Sequence, residues 1–205
     1  MSVLRYGARV GNCTVLGPGN RAVLWVHGCC FACEGCIAES YKTGPYEECP
    51  PEEAAAWYLA QGAEGLTVSG GEPMLQAEAL ADMMDCIRRE RDCGLIVYTG
   101  FVYEALLARE DPAVRRFLGQ IDLLIDGPYR RELDWNQTAR GSENQRLLPL
   151  TDRYRDVLEA YYLRRRGRQV ELRLSTKQTL LVGVPGREQE AVWGSLKRLG
   201  EYHES

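Results

Sequence analysis

The 205-residue chain is 45% hydrophobic and 26% charged, with a formal charge of −4. That balance describes a globular chain able to bury a core, and it excludes both a disordered chain and the basic footprint of a nucleic-acid-binding protein. No apolar run nears the roughly 18 residues that span a bilayer, and Met1-Ser2-Val3-Leu4-Arg5 has no signal-peptide core, so no membrane role is expected and the cytoplasm is the expected compartment.

The first strand signal is Val23-Leu24-Trp25-Val26-His27, an apolar run of β-branched and aromatic residues stopped by Gly28. A cysteine-rich loop follows at its C-terminal end. Pro50-Pro51-Glu52-Glu53 then predicts a helix start, because proline is tolerated and acids are favoured in a first turn, and helix formers run on to Gln61. Leu66-Thr67-Val68 predicts a strand leading into Ser69-Gly70-Gly71-Glu72-Pro73. The alternation continues with a helix over 75–91, a strand over 95–98, a helix over 103–110 and a strand over 121–125 that ends at Asp126-Gly127-Pro128.

The polar stretch 129–151 shows no clear element and is too long for an ordinary connection, which makes it a candidate functional loop. Asp152 can cap a helix running to Arg166, with Arg164 to Arg168 read as its solvated, cationic end. Strands over 169–174 and 178–182 and a closing helix over 188–199 complete the pattern. Strands alternating with helices predict an α/β fold with a parallel sheet, in which ligands gather at the C-terminal strand ends. With no linker or internal repeat, residues 1–205 are expected to form a single domain, 151–205 being its divergent C-terminal part.

Four of the eight cysteines fall between Cys29 and Cys36, and such clustering in a reducing compartment points to metal rather than disulfides. Cys29, Cys33 and Cys36 give C-x-x-x-C-x-x-C, which lets one short loop aim three thiolates at one centre. Three soft sulfurs can hold three irons of a cubane and leave the fourth open. The spacing also admits structural zinc, with Cys30, His27 or Cys49 as a fourth ligand. Cys13, Cys86 and Cys93 are expected to be ordinary buried or half-buried thiols.

Taken in order, Gly17-Pro18-Gly19-Asn20-Arg21, Leu24-Trp25-Val26-His27-Gly28-Cys29, the cysteine loop, Ser69-Gly70-Gly71-Glu72-Pro73, Tyr98-Thr99-Gly100, Asp126-Gly127-Pro128-Tyr129 and Gly141-Ser142-Glu143-Asn144-Gln145-Arg146 resemble the radical S-adenosylmethionine (SAM) activating enzymes, those of anaerobic ribonucleotide reductase above all. The resemblance implies a partial (β/α) radical SAM barrel with a 4Fe-4S cluster on Cys29, Cys33 and Cys36. It further implies that Gly70, Gly71 and Glu72 hold the methionine amino end of SAM, and that Thr99 and Asp126 face its methionine or ribose part. Reductive cleavage of SAM would yield a 5′-deoxyadenosyl radical that abstracts hydrogen from a glycine of a partner glycyl radical enzyme. A peptide or small metabolite is the alternative substrate, and flavodoxin or ferredoxin the implied reductant. A non-enzymatic metal module is the third reading. Arg140 and Arg146 can pair bidentately with carboxylates, on SAM or on a partner's acidic face, or stay solvated.

Overall fold

The computed structural model describes residues 2–136, 140–158, 168–174 and 179–186. The elements are β1 (Leu4–Cys13), β2 (Arg21–Val26), α1 (Ser40–Thr43), β3 (Glu47–Cys49), α2 (Pro51–Leu59), β4 (Gly65–Gly70), α3 (Ala77–Glu90), β5 (Gly94–Tyr98), α4 (Tyr103–Ala108), α5 (Pro112–Leu118), β6 (Leu123–Asp126), β7 (Arg146–Pro149), α6 (Arg155–Leu158), β8 (Val170–Leu174) and β9 (Thr179–Gly183). The first seven strands form one sheet in the order β3-β1-β2-β4-β5-β6-β7, and β8 and β9 form a separate hairpin.

The expected parallel sheet is corrected to a mixed one. Pairs β2–β4, β4–β5 and β5–β6 are parallel, because helices carry the chain back between those strands. Antiparallel β1, β3 and β7 flank them. The period-2 pattern Leu4, Tyr6, Ala8, Val10 against Arg5 and Arg9 was the signal for β1, and Arg146-Leu147-Leu148-Pro149 turns the end of the polar stretch into an edge strand. Of the predicted C-terminal elements, the helix beginning after Asp152 is described only as α6, and the closing helix lies outside the described residues.

β2 is buried along its whole length, as expected of a central strand covered on both faces. Leu24, Val26, Leu66, Val68, Leu95, Val97 and Leu124 point to the helix side and share one core with Tyr58, Met83 and Phe117. α3 buries Ala77, Leu80, Ala81, Met84 and Ile87, the i, i+3, i+4, i+7 stripe of an amphipathic helix. α5 is started by Asp111, whose carboxylate accepts from Ala113 N at 2.8 Å and Val114 N at 3.3 Å, with Pro112 in the first turn.

The opposite face carries Val23, Trp25, Ile96, Leu123 and Ile125, covered by Tyr154 and by Val182 of β9. Arg21, 1% exposed, opens β2 on this face. Its guanidinium donates to Thr67 Oγ1 (2.7 Å), Tyr154 Oη (2.7 Å), Leu66 O (2.6 Å), Gly94 O (2.9 Å) and Pro18 O (3.4 Å). Neutral oxygens thus meet this buried cation's donors and bind three strands to the Tyr154 segment.

Candidate metal and cofactor site

Cys29, Cys33 and Cys36 stand half-buried on the loop that leaves β2, and all three are free thiols. The loop is closed at its root, where Gly28 N donates to Tyr41 O at 2.8 Å and Gly28 O accepts from Glu72 N at 2.7 Å. Gly28 takes φ +91° and Gly35 φ +71°, left-handed values that side chains resist, so the glycines let the loop fold back on itself. Phe31 N donates to Cys29 Sγ at 3.4 Å, and Cys36 N to Cys33 O at 3.3 Å.

Partial burial pushes the thiols of Cys29 and Cys36 above the ordinary cysteine range, and neighbouring cysteines add to the effect. Such thiols ionise readily only against a cationic centre, and a bound metal deprotonates its thiol ligands. Among the described residues no group of three or more His, Cys, Asp or Glu side chains, these cysteines included, is close enough to hold a metal ion. The zinc reading needs a fourth ligand. His27 instead stacks on Tyr46 with ring centroids 4.4 Å apart, Cys49 is buried in the helix-side core, and Cys30 is exposed. Three soft sulfurs on one loop, with their would-be fourth partners turned elsewhere or left in solvent, suit an iron–sulfur cluster.

The turn after β4 packs directly beneath this loop. Gly70 has φ +103°, and a Cβ at Gly71 would lie 2.0 Å from Gly28 O, so two backbones touch where no side chain fits. Glu72 is fully buried, and burial raises its carboxyl above the ordinary carboxylate range despite three donors. Its Oε1 accepts from Met74 N (2.9 Å) and Thr99 Oγ1 (2.7 Å), and its Oε2 from Gly100 N (2.8 Å). Thr99 Oγ1 in turn accepts from Phe101 N at 3.1 Å. Glu72 and Thr99 therefore join the loops after β2, β4 and β5 into one network.

Asp126, also fully buried, ends β6. Its Oδ1 accepts from Arg146 Nε at 2.9 Å, and its Oδ2 from Arg146 Nη2 at 2.5 Å and Tyr103 N at 2.8 Å. The same guanidinium grips Glu104 at 2.6 and 3.0 Å and holds that exposed carboxyl down at about 2. Arg146 thus pairs bidentately with carboxylates of its own chain. Arg140 Nη1 donates to Gln145 O at 2.8 Å.

The structure brings Cys29, Cys33, Cys36, Gly70, Gly71, Glu72, Thr99 and Asp126 to the same end of the sheet, the C-terminal ends of β2, β4, β5 and β6. It adds contacts that no sequence motif specifies. Phe31 meets Phe101 edge-on with centroids 4.8 Å apart, and Arg109 lies 4.0 Å over the Phe101 ring. A Cβ at Gly100 would stand 2.6 Å from the Phe31 ring, so the glycine of Tyr98-Thr99-Gly100 makes room for the cysteine loop. Gln145 donates to Gly127 O at 3.0 Å and Asn144 to Pro128 O at 2.8 Å, which explains why polar residues follow one another in Gly141–Arg146.

The family described as "4Fe-4S single cluster domain" matches residues 15–148. The chain belongs to that family and is a radical SAM enzyme of the activating type, with a 4Fe-4S cluster and SAM as its cofactors. The anaerobic ribonucleoside-triphosphate reductase-activating protein of Enterobacteria phage T4 is 33% identical over 147 residues, covering 67% of this chain and 89% of that protein. Its counterpart in Haemophilus influenzae is 34% identical over 139 residues, 63% and 87% of the two chains. Pyruvate formate-lyase 1-activating enzyme of Escherichia coli is 27% identical over 196 residues, 92% of this chain and 70% of that one.

Among the described residues no helix is long and apolar enough to cross a membrane.

Proposed function

We propose that the chain holds its 4Fe-4S cluster through Cys29, Cys33 and Cys36, cleaves SAM reductively, and thereby takes a hydrogen atom from a glycine of a partner glycyl radical enzyme. The observation that carries this reading is the cysteine loop itself: three free, half-buried thiols rooted at Gly28 on the Glu72 network. The relatives named as activators of ribonucleoside-triphosphate reductase and pyruvate formate-lyase support a partner of that kind. When bound, the cluster supplies the electron that breaks a sulfonium carbon–sulfur bond of SAM and so yields the 5′-deoxyadenosyl radical.

The rest falls to this chain's residues. Gly70 and Gly71 offer main chain at the cofactor end of β4, where a ligand's amino group can approach without obstruction. Glu72 braces that main chain from behind, and Thr99 and Asp126 shape the methionine and ribose end through the turns they hold. Phe31 and Phe101 exclude water beside the cysteines, which protects a reactive radical from solvent. The sheet is read as the wall of a partial barrel, open at the end where a partner's loop enters, with flavodoxin or ferredoxin as reductant.

The test is anaerobic reconstitution of the wild type and Cys33→Ala, followed by reduction and addition of SAM and a candidate partner. The wild type should bind about four irons per chain, release 5′-deoxyadenosine and generate a glycyl radical doublet in electron paramagnetic resonance. Cys33→Ala should lose the cluster and the turnover while keeping its fold. Equal turnover by both proteins would sink the ligand assignment, and one zinc per chain without SAM cleavage would sink the whole reading.

A further inference from the structure

Arg168 lies beyond the matched span of residues 15–148, yet its side chain is among the most buried cationic ones of the described residues. Its side chain is 2% exposed and faces Asp134, itself 3% exposed, in a two-pronged pair: Nη2 to Oδ1 at 2.7 Å and Nη1 to Oδ2 at 3.2 Å. This corrects the sequence expectation of a solvated cationic end at that position. The guanidinium also donates to Arg140 O (3.1 Å), Gly141 O (2.9 Å) and Pro185 O (2.7 Å). A buried charge persists only when its partners are this complete.

The pair joins two parts of the chain that the sheet holds apart. Asp134, Arg140 and Gly141 belong to the connection between β6 and β7, at one side of the sheet. Arg168 leads into the β8–β9 hairpin, which sits at the other side. There Glu171 accepts from Thr14 N and Oγ1, each at 2.8 Å, Arg173 donates to Asn12 O at 2.6 Å, and Val182 packs on Cys13, Leu16, Val23 and Trp25. The segment therefore links the β1–β2 side of the sheet to the β6–β7 connection.

From Arg168 a chain of contacts runs to the site. Gly141, whose carbonyl Arg168 grips, donates its N–H to Gln145 Oε1 at 2.8 Å, and Gln145 Nε2 donates to Gly127 O at 3.0 Å. Gly127 follows Asp126 at the end of β6, with φ +102° and its N–H on Phe101 O at 3.1 Å. We propose that Arg168 is a positioning residue: by clamping the β6–β7 connection from the C-terminal segment, it fixes the Asp126–Pro128 wall that shapes the methionine and ribose end of SAM, and with it the point from which the adenosyl carbon meets the hydrogen donor. The inference rests on the activase reading, since it concerns how that site presents its substrate. A donor hydrogen displaced by about 1 Å is enough to cut transfer by on the order of a hundredfold, which is why a remote clamp matters to such chemistry.

The experiment compares full-length wild type with Arg168→Ala, Arg168→Lys, Asp134→Asn and the charge swap Arg168→Asp with Asp134→Arg. Amide hydrogen exchange without cofactors reads the clamp. The single variants should lose protection over residues 127–136 and 140–146 by about tenfold or more while α3 keeps its own, and the swap should restore part of it. In reconstituted protein, partner radical formed per 5′-deoxyadenosine released should fall by about tenfold or more. Unchanged protection across the connection overturns the clamp. Lost protection with unchanged coupling overturns the positioning role and leaves a structural pair. Should Arg168→Ala fail to fold, Arg168→Lys decides, because it keeps the charge but cannot reproduce the fork. A wild type that cleaves SAM yet leaves every partner without a radical overturns the activase reading instead, while hydrogen exchange still judges the clamp.

Discussion

Glu72 combines two roles that pull its proton affinity in opposite directions. Its three donors favour the carboxylate, but complete burial outweighs them and raises its pKa. The folded chain therefore keeps this proton to higher pH than the unfolded chain does. The group's contribution to stability is complete below the unfolded value of about 4 and is lost as pH rises through the folded one. Measured by urea unfolding across pH, the wild type should lose stability relative to Glu72→Gln over that window and run parallel to it above. Glu72→Ala, which strands the Met74 and Gly100 N–H groups and the Thr99 hydroxyl, should cost on the order of 3 kcal/mol or more at pH 7. A Glu72→Ala protein as stable as the wild type would mean that the carboxylate braces nothing.

Arg21 shows the same economy at the far end of the strands. An arginine is ordinarily solvated, yet neutral oxygens from four segments enclose this one. Only the folded neighbours reveal that.

Among the elements, the turn after β4 matters most to the site, because it and the cysteine loop are a single packed unit. Gly71 N donates to Val26 O at 2.7 Å, and the position of a Gly71 side chain is already occupied by Gly28 O. Gly71→Ala must therefore push the cysteine loop away from β4. The expected outcome is a folded protein with normal helical circular dichroism, reduced iron content after reconstitution and SAM affinity weakened by about tenfold or more. Full iron loading and unchanged affinity would show that the two loops tolerate separation.

Sequence patterns located the central strands β2, β4, β5 and β6 and the helices α2, α3 and α4 because each carries its own period and its own terminators. The antiparallel flanks escaped. Gly7 and Gly11 interrupt β1, β3 is three residues long, and β7 follows a polar loop, so none of the three offers a long apolar run.

For the whole molecule, the two faces of the sheet are covered by different means. α2, α3 and α5 bury one face in the largest core, whereas Tyr154, α6 and the β8–β9 hairpin cover the other. Val182 holds the hairpin down from a fully buried position. Val182→Asp should cost about 3 kcal/mol through an unpaired buried charge and should open the hairpin and the β1–β2 connection to limited proteolysis before the helix side. Simultaneous cleavage on both sides would indicate one cooperative core instead.

The sequence by itself determined three thiols at fixed spacing on one loop, glycines in the turn after a strand, and alternating strands and helices that deliver both to one sheet end. Those are local properties, and short-range covalent geometry enforces them. Only the tertiary structure decided which donors of the chain the carboxylates of Glu72 and Asp126 accept from, that the sheet is mixed, and that Arg168 reaches back to Asp134. Hydrogen-bond partners distant in sequence are chosen by packing, and burial turns a charged residue from a solvated group into a fastener.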